Sequence, residues 1–149
     1  MAKTKVYLSG AMEAYAGTTK AEDWRRYCKN YFRNYIQDFE IFSPTDHYQY
    51  GANYQKSERE VFNYDLYHTK KSDIVLVNLN DVRKSIGTCI EVYEAHKSGI
   101  PVIGFMDDEL PIDEMIQKIH PWIYCCVDRV ETGDGSMDRA LNYIIEFYS

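Results

Sequence analysis

The segment from Ser72 to Phe105 constrains the fold most, because it reads as a strand, a helix and a second strand in close succession. The run from Ile74 to Val77 is apolar and rich in β-branched residues, which is typical of a strand buried on both faces. A helix is predicted from about Thr88 to Ser98 with Gly99 as its C-terminal cap, and Ile100 to Phe105 form a second apolar strand. This pattern predicts a βαβ unit, with two parallel strands and a right-handed crossover.

Glu91 falls near the start of this predicted helix, at the end of the unit where parallel sheets bind their ligands. Helical spacing puts it on one face with the small and apolar residues Thr88, Val92, Ala95 and Gly99, which suit packing on a sheet. A carboxylate at the edge of a buried face costs free energy unless something uses it. The run from Thr88 to Glu91 also fits a T-x-x-E capping box, so the spacing leaves a capping role and a catalytic role open.

The rest of the chain alternates between strands and helices in the same way. Further strands are predicted at Lys5–Leu8, Phe39–Phe42 and Trp122–Val127, and further helices from Thr18 or Thr19 to about Tyr35, from Ser57 to about Thr69, at Leu110–Ile119 and at Ser136–Phe147. A length of 149 residues is typical of one domain. We therefore expect residues 1–149 to form a single α/β domain, a flavodoxin-like or Rossmann-like three-layer fold whose five-stranded parallel sheet has the order 2-1-3-4-5.

The composition argues against several classes of partner. The formal net charge is −6 and no run of lysine or arginine stands out, so neither a nucleic acid polymer nor an anionic membrane is an expected partner. No stretch approaches the roughly 20 apolar residues that span a bilayer, and the first residues lack the apolar centre of a signal peptide. The four cysteines include no C-x-x-C pair, which predicts reduced thiols in a cytoplasmic protein, with adjacent Cys125 and Cys126 facing opposite sides of a strand. The four histidines lack the spacing of metal ligands, so no metal is expected.

Two segments near the N-terminus are candidates for ligand binding. Ser9 to Met12 directly follow the first strand, where Gly10 lets backbone amides approach a ligand, although a plain strand-to-helix turn also uses glycine. Trp24 belongs to the apolar stripe of the first helix, so it is either a core residue or a platform for a ligand. Arg25 beside it can reach solvent or an anionic substrate.

Two further features lie between the second and third strands. The loop from Thr45 to Tyr54 is polar and aromatic, and it is either a lid or specificity loop or a variable surface loop. Asp65 lies in the middle of a predicted helix, where aspartate is a poor helix former. It therefore either faces solvent or serves a function.

Several motifs together resemble the nucleoside 2-deoxyribosyltransferase family and its relatives, the 2'-deoxynucleoside 5'-phosphate N-hydrolases. The similarity covers nearly the whole chain. The motifs are Val6–Gly10 (VYLSG), Asn63–Leu66 (NYDL) ahead of Ser72–Val75 (SDIV), Ser85–Glu91 (SIGTCIE), Gly99–Ile103 (GIPVI) and His120–Trp122 (HPW).

The resemblance implies a role for three side chains. Glu91 matches the glutamate that attacks the anomeric carbon of deoxyribose, forms a covalent glycosyl-enzyme and expels the base, and a carboxylate suits that chemistry. Asp65 matches the family aspartate that assists departure of the base or positions the nucleophile. Tyr7 matches a tyrosine that lines the site and orients the nucleophile. No cofactor is implied.

One position departs from the transferases that use free nucleosides. They carry an aspartate six residues before the nucleophile, where this chain has Ser85, which resembles the N-hydrolase branch. A hydroxyl can donate to a 5'-phosphate, whereas a carboxylate would repel it. Ser85 alternatively only starts a turn, and Asp81 in the same loop is a candidate replacement for the missing carboxylate. Arg25 or Arg83 is a candidate for further phosphate contacts.

These features predict an enzyme that acts on the N-glycosidic bond of a 2'-deoxynucleoside or its 5'-monophosphate and passes the sugar to a base or to water. The family implies a homo-oligomer with shared active sites, to which Ser136 and the tail Phe147–Ser149 are candidate contributors. A nucleotide-binding module without turnover and a flavin-binding module are the alternatives. The predicted substrate-binding residues are Ser9, Gly10, Ala11, Met12, Trp24, Ser85, Gly87 and Thr88.

Overall fold

A computed structural model describes residues 2–49, 52–53 and 57–149. Its centre is a five-stranded sheet in which all neighbouring strands run parallel. The strands are β1 (Thr4–Ser9), β2 (Phe39–Phe42), β3 (Ile74–Asn78), β4 (Val102–Met106) and β5 (Arg129–Thr132). They lie in the order β2-β1-β3-β4-β5, so the flavodoxin-like class and the predicted order 2-1-3-4-5 are confirmed.

Helices cover both faces of this sheet. They are α1 (Lys20–Phe32), α2 (Glu58–Lys71), α3 (Ile86–Lys97), α4 (Ile112–Ile119), α5 (Pro121–Tyr124) and α6 (Ser136–Tyr148). Side chains alternate across the sheet: Val6 and Leu8 of β1 pack with α1 and α6, whereas Tyr7 joins the core under α3 and α4. Within the described ranges, no helix is long and apolar enough to cross a bilayer.

The start of α3 differs from the prediction. Ser85 is the N-cap residue, and its hydroxyl oxygen accepts a hydrogen bond from the Thr88 backbone N–H at 3.3 Å. Thr88 therefore lies inside the helix, and the capping box predicted for Thr88 and Glu91 is wrong. The helix ends as expected, because Gly99 follows it with a φ of +75°. Glu91 lies one turn further into the helix than the sequence suggested, so its carboxylate is not needed for capping.

The fifth strand also differs, because the predicted strand at Trp122–Val127 is wrong. Pro121 starts the short helix α5 there, and the His120 Nδ1 caps it by accepting from the Trp122 backbone N–H at 3.1 Å. The two adjacent cysteines therefore follow a helix rather than lie on a strand, and one is exposed while the other is buried. The true strand β5 is a short edge strand whose one apolar residue, Val130, lies between Arg129 and Glu131. It lacks the buried apolar run that marks β3 and β4.

Other boundaries agree with the sequence more closely. The Ser57 hydroxyl caps α2 by accepting from the Glu60 backbone N–H at 3.2 Å, as predicted. Thr19 occupies the N-cap position of α1, although its side chain makes no capping hydrogen bond. The predicted loop at Thr45–Tyr54 lies partly outside the described residues, so its role as a lid stays a prediction.

Candidate active site

The Glu91 carboxylate is held by two hydroxyl groups of β1. Tyr7 and Ser9 lie two residues apart, so both point to the face of the sheet that α3 covers. The Tyr7 hydroxyl donates to Oε2 of Glu91, and the Ser9 hydroxyl donates to Oε1 at 2.7 Å. Both donors are fully buried. The Ser9 side chain is therefore engaged with Glu91, and its predicted contact with a substrate stays a prediction.

The surroundings of Glu91 act on its pKa in opposite directions. Burial raises the pKa above the ordinary range, whereas the hydrogen bonds from Tyr7 and Ser9 and the positive charge of Arg25 lower it. Burial and the nearby Glu91 charge together raise the pKa of the Tyr7 hydroxyl, which therefore stays protonated and can only donate to the carboxylate. The result is a fixed, poorly hydrated carboxylate, which is what a nucleophile requires.

A cleft of about 280 Å³ opens beside Glu91, beyond the carboxyl end of β1 and between α2 and α3. This is where parallel α/β sheets bind ligands, and the volume is close to the lower end of the usual range of about 300–1,000 Å³. Among the described residues, its lining comprises Gly10, Met12, Glu13, Arg25, Pro44, Glu58, Val61, Phe62, Asp65, Leu66, Ser85, Ile86, Gly87, Thr88, Ile90 and Glu91.

Asp65 lines this cleft from α2, which accounts for an aspartate in the middle of a helix. Burial, and then the negative charge of Glu91, raises its pKa to about 7, while the positive charge of Arg25 opposes the shift. At neutral pH about half of the Asp65 carboxyl groups therefore carry a proton. Two carboxyl groups with different environments thus line one cleft, an arrangement that suits acid and nucleophile roles.

The predicted substrate-binding residues separate into two groups. Five of them line the cleft, namely Gly10, Met12, Ser85, Gly87 and Thr88. Ala11 is buried and Trp24 lies in the core, where its ring meets Phe105 edge-on at 5.7 Å between centroids. Neither belongs to the lining of this cleft in the described part of the chain, so their assignment as ligand contacts stays a prediction.

The charged residues considered for phosphate contact also separate. Arg25 is only 1% exposed and forms part of the cleft wall, so it does not reach solvent. Arg83 instead donates from Nε, at 3.0 Å, to the backbone carbonyl of Gln117. Asp81 accepts from the Tyr15 hydroxyl at 2.7 Å and faces a neighbouring cleft. Neither Arg83 nor Asp81 is therefore placed to act in the Glu91 cleft.

Sequence reasoning missed one wall of the cleft although a signal was present. Five residues of α2 recur at the spacing of one helical face and line the cleft together: Glu58, Val61, Phe62, Asp65 and Leu66. Only Asp65 among them was singled out. Within the residues that the structure describes, no group of three or more His, Cys, Asp or Glu side chains is arranged to hold a metal ion.

Comparison with protein families places this geometry in context. A sequence model of the nucleoside 2-deoxyribosyltransferase family matches residues 6–137, a range that contains every lining residue named above. The chain belongs to that family. The family is enzymatic, and the fold of the chain is that of a deoxyribosyltransferase.

Solved structures of similar proteins share this fold over nearly their whole length. A conserved protein from Enterococcus faecalis V583 has 16% identity and a TM-score of 0.75, covering 97% of this chain and 99% of that one. A 2-desoxiribosyltransferase from Leishmania mexicana has 16% identity and a TM-score of 0.67, covering 98% and 99%. A 2-deoxyribosyltransferase from Bacillus psychrosaccharolyticus has 19% identity and a TM-score of 0.61, covering 94% and 92%. No curated protein matches the chain by sequence.

The raised pKa of Asp65 predicts a pH-dependent stability. The folded chain keeps this proton up to about pH 7, whereas an unfolded chain releases it near the ordinary value of 3.8. The folded state thus binds more protons between these values, and the free energy of unfolding falls as pH rises from about 4 to about 7.

Asp65→Asn removes this titration. Urea unfolding from pH 4 to 8 should show the wild type losing stability relative to Asp65→Asn, with a constant difference above about pH 7. A difference that does not change with pH would contradict the raised pKa of Asp65.

Proposed function

We propose that the protein cleaves the N-glycosidic bond of a 2'-deoxyribonucleoside or its 5'-monophosphate and transfers the deoxyribosyl group through a covalent ester of Glu91. The observation that carries this proposal is the Glu91 carboxylate, fixed by Tyr7 and Ser9 in the wall of a cleft that Asp65 also lines. Membership of the nucleoside 2-deoxyribosyltransferase family supports the substrate class.

In the first step, a Glu91 carboxylate oxygen forms a bond to the anomeric carbon while the bond from that carbon to the base nitrogen breaks. The base leaves with the bonding electrons and takes up a proton. Asp65 supplies that proton, because its pKa of about 7 leaves part of the population protonated at neutral pH. Tyr7 and Ser9 hold the carboxylate at a fixed angle, which limits the motion needed to reach the sugar.

In the second step, an incoming base or water attacks the anomeric carbon and releases Glu91. The esterified Glu91 carries no charge, so one cause of the raised Asp65 pKa disappears. Asp65 consequently remains a carboxylate after giving up its proton, and a carboxylate is the form that accepts a proton from the incoming nucleophile. The residue acts as acid and then as base, as one carboxyl group does in retaining glycoside hydrolysis.

A second candidate is the hydrolysis of 5'-monophosphates, with water as the acceptor. Ser85 supports it, because a hydroxyl lines the cleft at the position where nucleoside transferases carry an aspartate. Ser85 also starts α3, a helix of 12 residues whose N-terminal amides and dipole favour a negative charge. The carboxylates of Glu13 and Glu58 line the same cleft and oppose this candidate.

We propose in addition that the protein forms a homo-oligomer through the outer face of α3. Ile86, Ile90 and Tyr93 recur there at helical spacing and are exposed, with Ile86 at 78%, and exposed Phe62 of α2 also lines the cleft. A contiguous apolar surface of this kind is typical of protein interfaces, and here it adjoins the cleft. In sedimentation velocity, Ile90→Lys should lower the oligomeric mass. A wild-type monomer would contradict the proposal.

Replacement of Glu91 tests the catalytic proposal directly. Glu91→Gln should lower base release from deoxynucleosides and their monophosphates by about 10³-fold or more, because an amide cannot form the ester. Liquid chromatography measures the released base, and intact-protein mass spectrometry should detect the added deoxyribosyl group in the wild type alone.

The matched control is Glu94→Gln, one turn further along α3, where the carboxylate pairs with Lys97 at 2.9 Å. It should release base at the wild-type rate. Undiminished release by Glu91→Gln would exclude Glu91 as the nucleophile, and nucleotide binding without any release by the wild type would favour a binding module.

Replacement of Ser85 by aspartate separates the two substrate candidates. Aspartate caps a helix about as well as serine, so Ser85→Asp should change the free energy of unfolding by less than about 0.5 kcal/mol. If a 5'-phosphate binds at Ser85, the added charge should lower kcat/KM for monophosphates at least 10-fold, which is roughly the loss of one charge-assisted hydrogen bond. The kcat/KM for nucleosides should stay unchanged. Equal effects on both substrates would assign Ser85 to the helix cap alone.

A further inference from the structure

Arg25 is a buried cation that no carboxylate of the described residues contacts. Its Nη1 donates to the carbonyl of Ala21 at 2.7 Å and its Nη2 to the carbonyl of Gly10 at 2.9 Å. Its Nε is fully enclosed and has no hydrogen-bond partner, and no ion pair found in the described ranges includes this guanidinium. The group lies over the Trp24 ring, 4.6 Å from the centroid. A buried charge with neutral neighbours costs free energy unless charges farther away compensate it.

The compensating charges lie on the cleft. Burial lowers the pKa of Arg25, and the negative charges of Glu91 and Asp65 oppose this effect. The interaction is mutual, because Arg25 lowers the pKa of both carboxyl groups against the effect of their burial. Arg25 is also the one cation among the described residues that line the cleft.

Arg25 and its neighbour also fix the backbone of Gly10. The guanidinium holds the Gly10 carbonyl, while the Trp24 ring packs so closely that a Cβ atom on Gly10 would lie 2.7 Å from its Cζ2. Gly10 lines the cleft directly after β1. Trp24 and Arg25, two consecutive residues of α1, therefore set the position of one wall of the cleft. The indole N–H of Trp24 and the Nε of Arg25 are both enclosed, so neither group faces the open space of the cleft.

We propose that Arg25 is a positioning residue that serves as the internal countercharge of Glu91 and Asp65 and holds the Gly10 wall of the cleft. This inference rests on the proposed function, in which those two carboxyl groups carry out the reaction. It assigns Arg25 a role different from contact with a substrate phosphate. The guanidinium is only 1% exposed, so water screens its charge little.

The ionisable groups that face the two carboxyl groups come from several elements. Among the described residues, they are Tyr7 of β1, Glu13 of the loop after β1, Arg25 of α1 and Glu58 of α2. Only Arg25 among them carries a positive charge. Its removal should therefore raise the pKa values of Glu91 and Asp65 together, which moves the whole pH–rate profile to higher pH.

The test compares Arg25→Met with the wild type by carboxyl ¹³C NMR titration, with signals assigned from Asp65→Asn and Glu91→Gln. The pKa values of Glu91 and Asp65 should both rise by roughly one unit, the lower end of the effect of a neighbouring opposite charge. The pH optimum of base release should shift in the same direction. Arg26→Met is the matched control, because its guanidinium is exposed and pairs with Glu22 at 3.0 Å. It should shift neither titration nor optimum.

Unchanged titrations in folded Arg25→Met would overturn the proposal, even if the rate fell. The NMR titration needs no turnover. If the wild type releases no base, a shift between the wild type and Arg25→Met would still support the countercharge role, while the proposed reaction would be refuted.

Arg25→Gln keeps one amide donor and carries the same test if Arg25→Met does not fold. If neither neutral variant folds, Arg25→Lys should fold and titrate like the wild type, since it keeps the charge. Failure of all three variants would overturn the proposal and assign Arg25 to the fold alone.

Discussion

The geometry of the candidate active site depends on one interaction, the pair of hydrogen bonds from the Tyr7 and Ser9 hydroxyls to the Glu91 carboxylate. These bonds join α3 to β1, a strand with neighbours on both sides in the sheet. Strand alternation supplies both hydroxyls from one face of β1. The parallel order then brings the end of β1 and the start of α3 to the same edge of the sheet, where the cleft opens.

Burial gives the site its chemistry and also its energetic cost. Glu91 and Asp65 both have raised pKa values because they are withdrawn from water, and the hydrogen bonds to Glu91 and the charge of Arg25 limit that rise. The two groups remain different, since only Glu91 accepts from two hydroxyls held rigidly in the sheet. This difference, rather than the type of residue, separates the proposed nucleophile from the proposed acid.

The sheet order could be predicted from the sequence, because apolar runs mark the central strands locally. The family motifs likewise allowed the prediction that Tyr7, Asp65 and Glu91 belong to one site. The sequence was insufficient for the start of α3, where Ser85 and Thr88 both have the chemistry of a cap and the intervening Ile86 and Gly87 are exposed. It also missed β5, whose residues are half-exposed and partly charged. The burial of Arg25 follows from how α1 packs against the loop after β1, and no local pattern encodes that distant contact.

The enclosed guanidinium of Arg25 has a consequence for the lifetime of the proposed glycosyl-enzyme. Ester formation removes the negative charge of Glu91 and leaves the cation with less compensation, which makes the esterified state less favourable than the free carboxylate. The same charge therefore makes Glu91 a better leaving group when the next nucleophile arrives. In the proposed reaction, an enclosed countercharge would thus favour turnover over trapping of the intermediate.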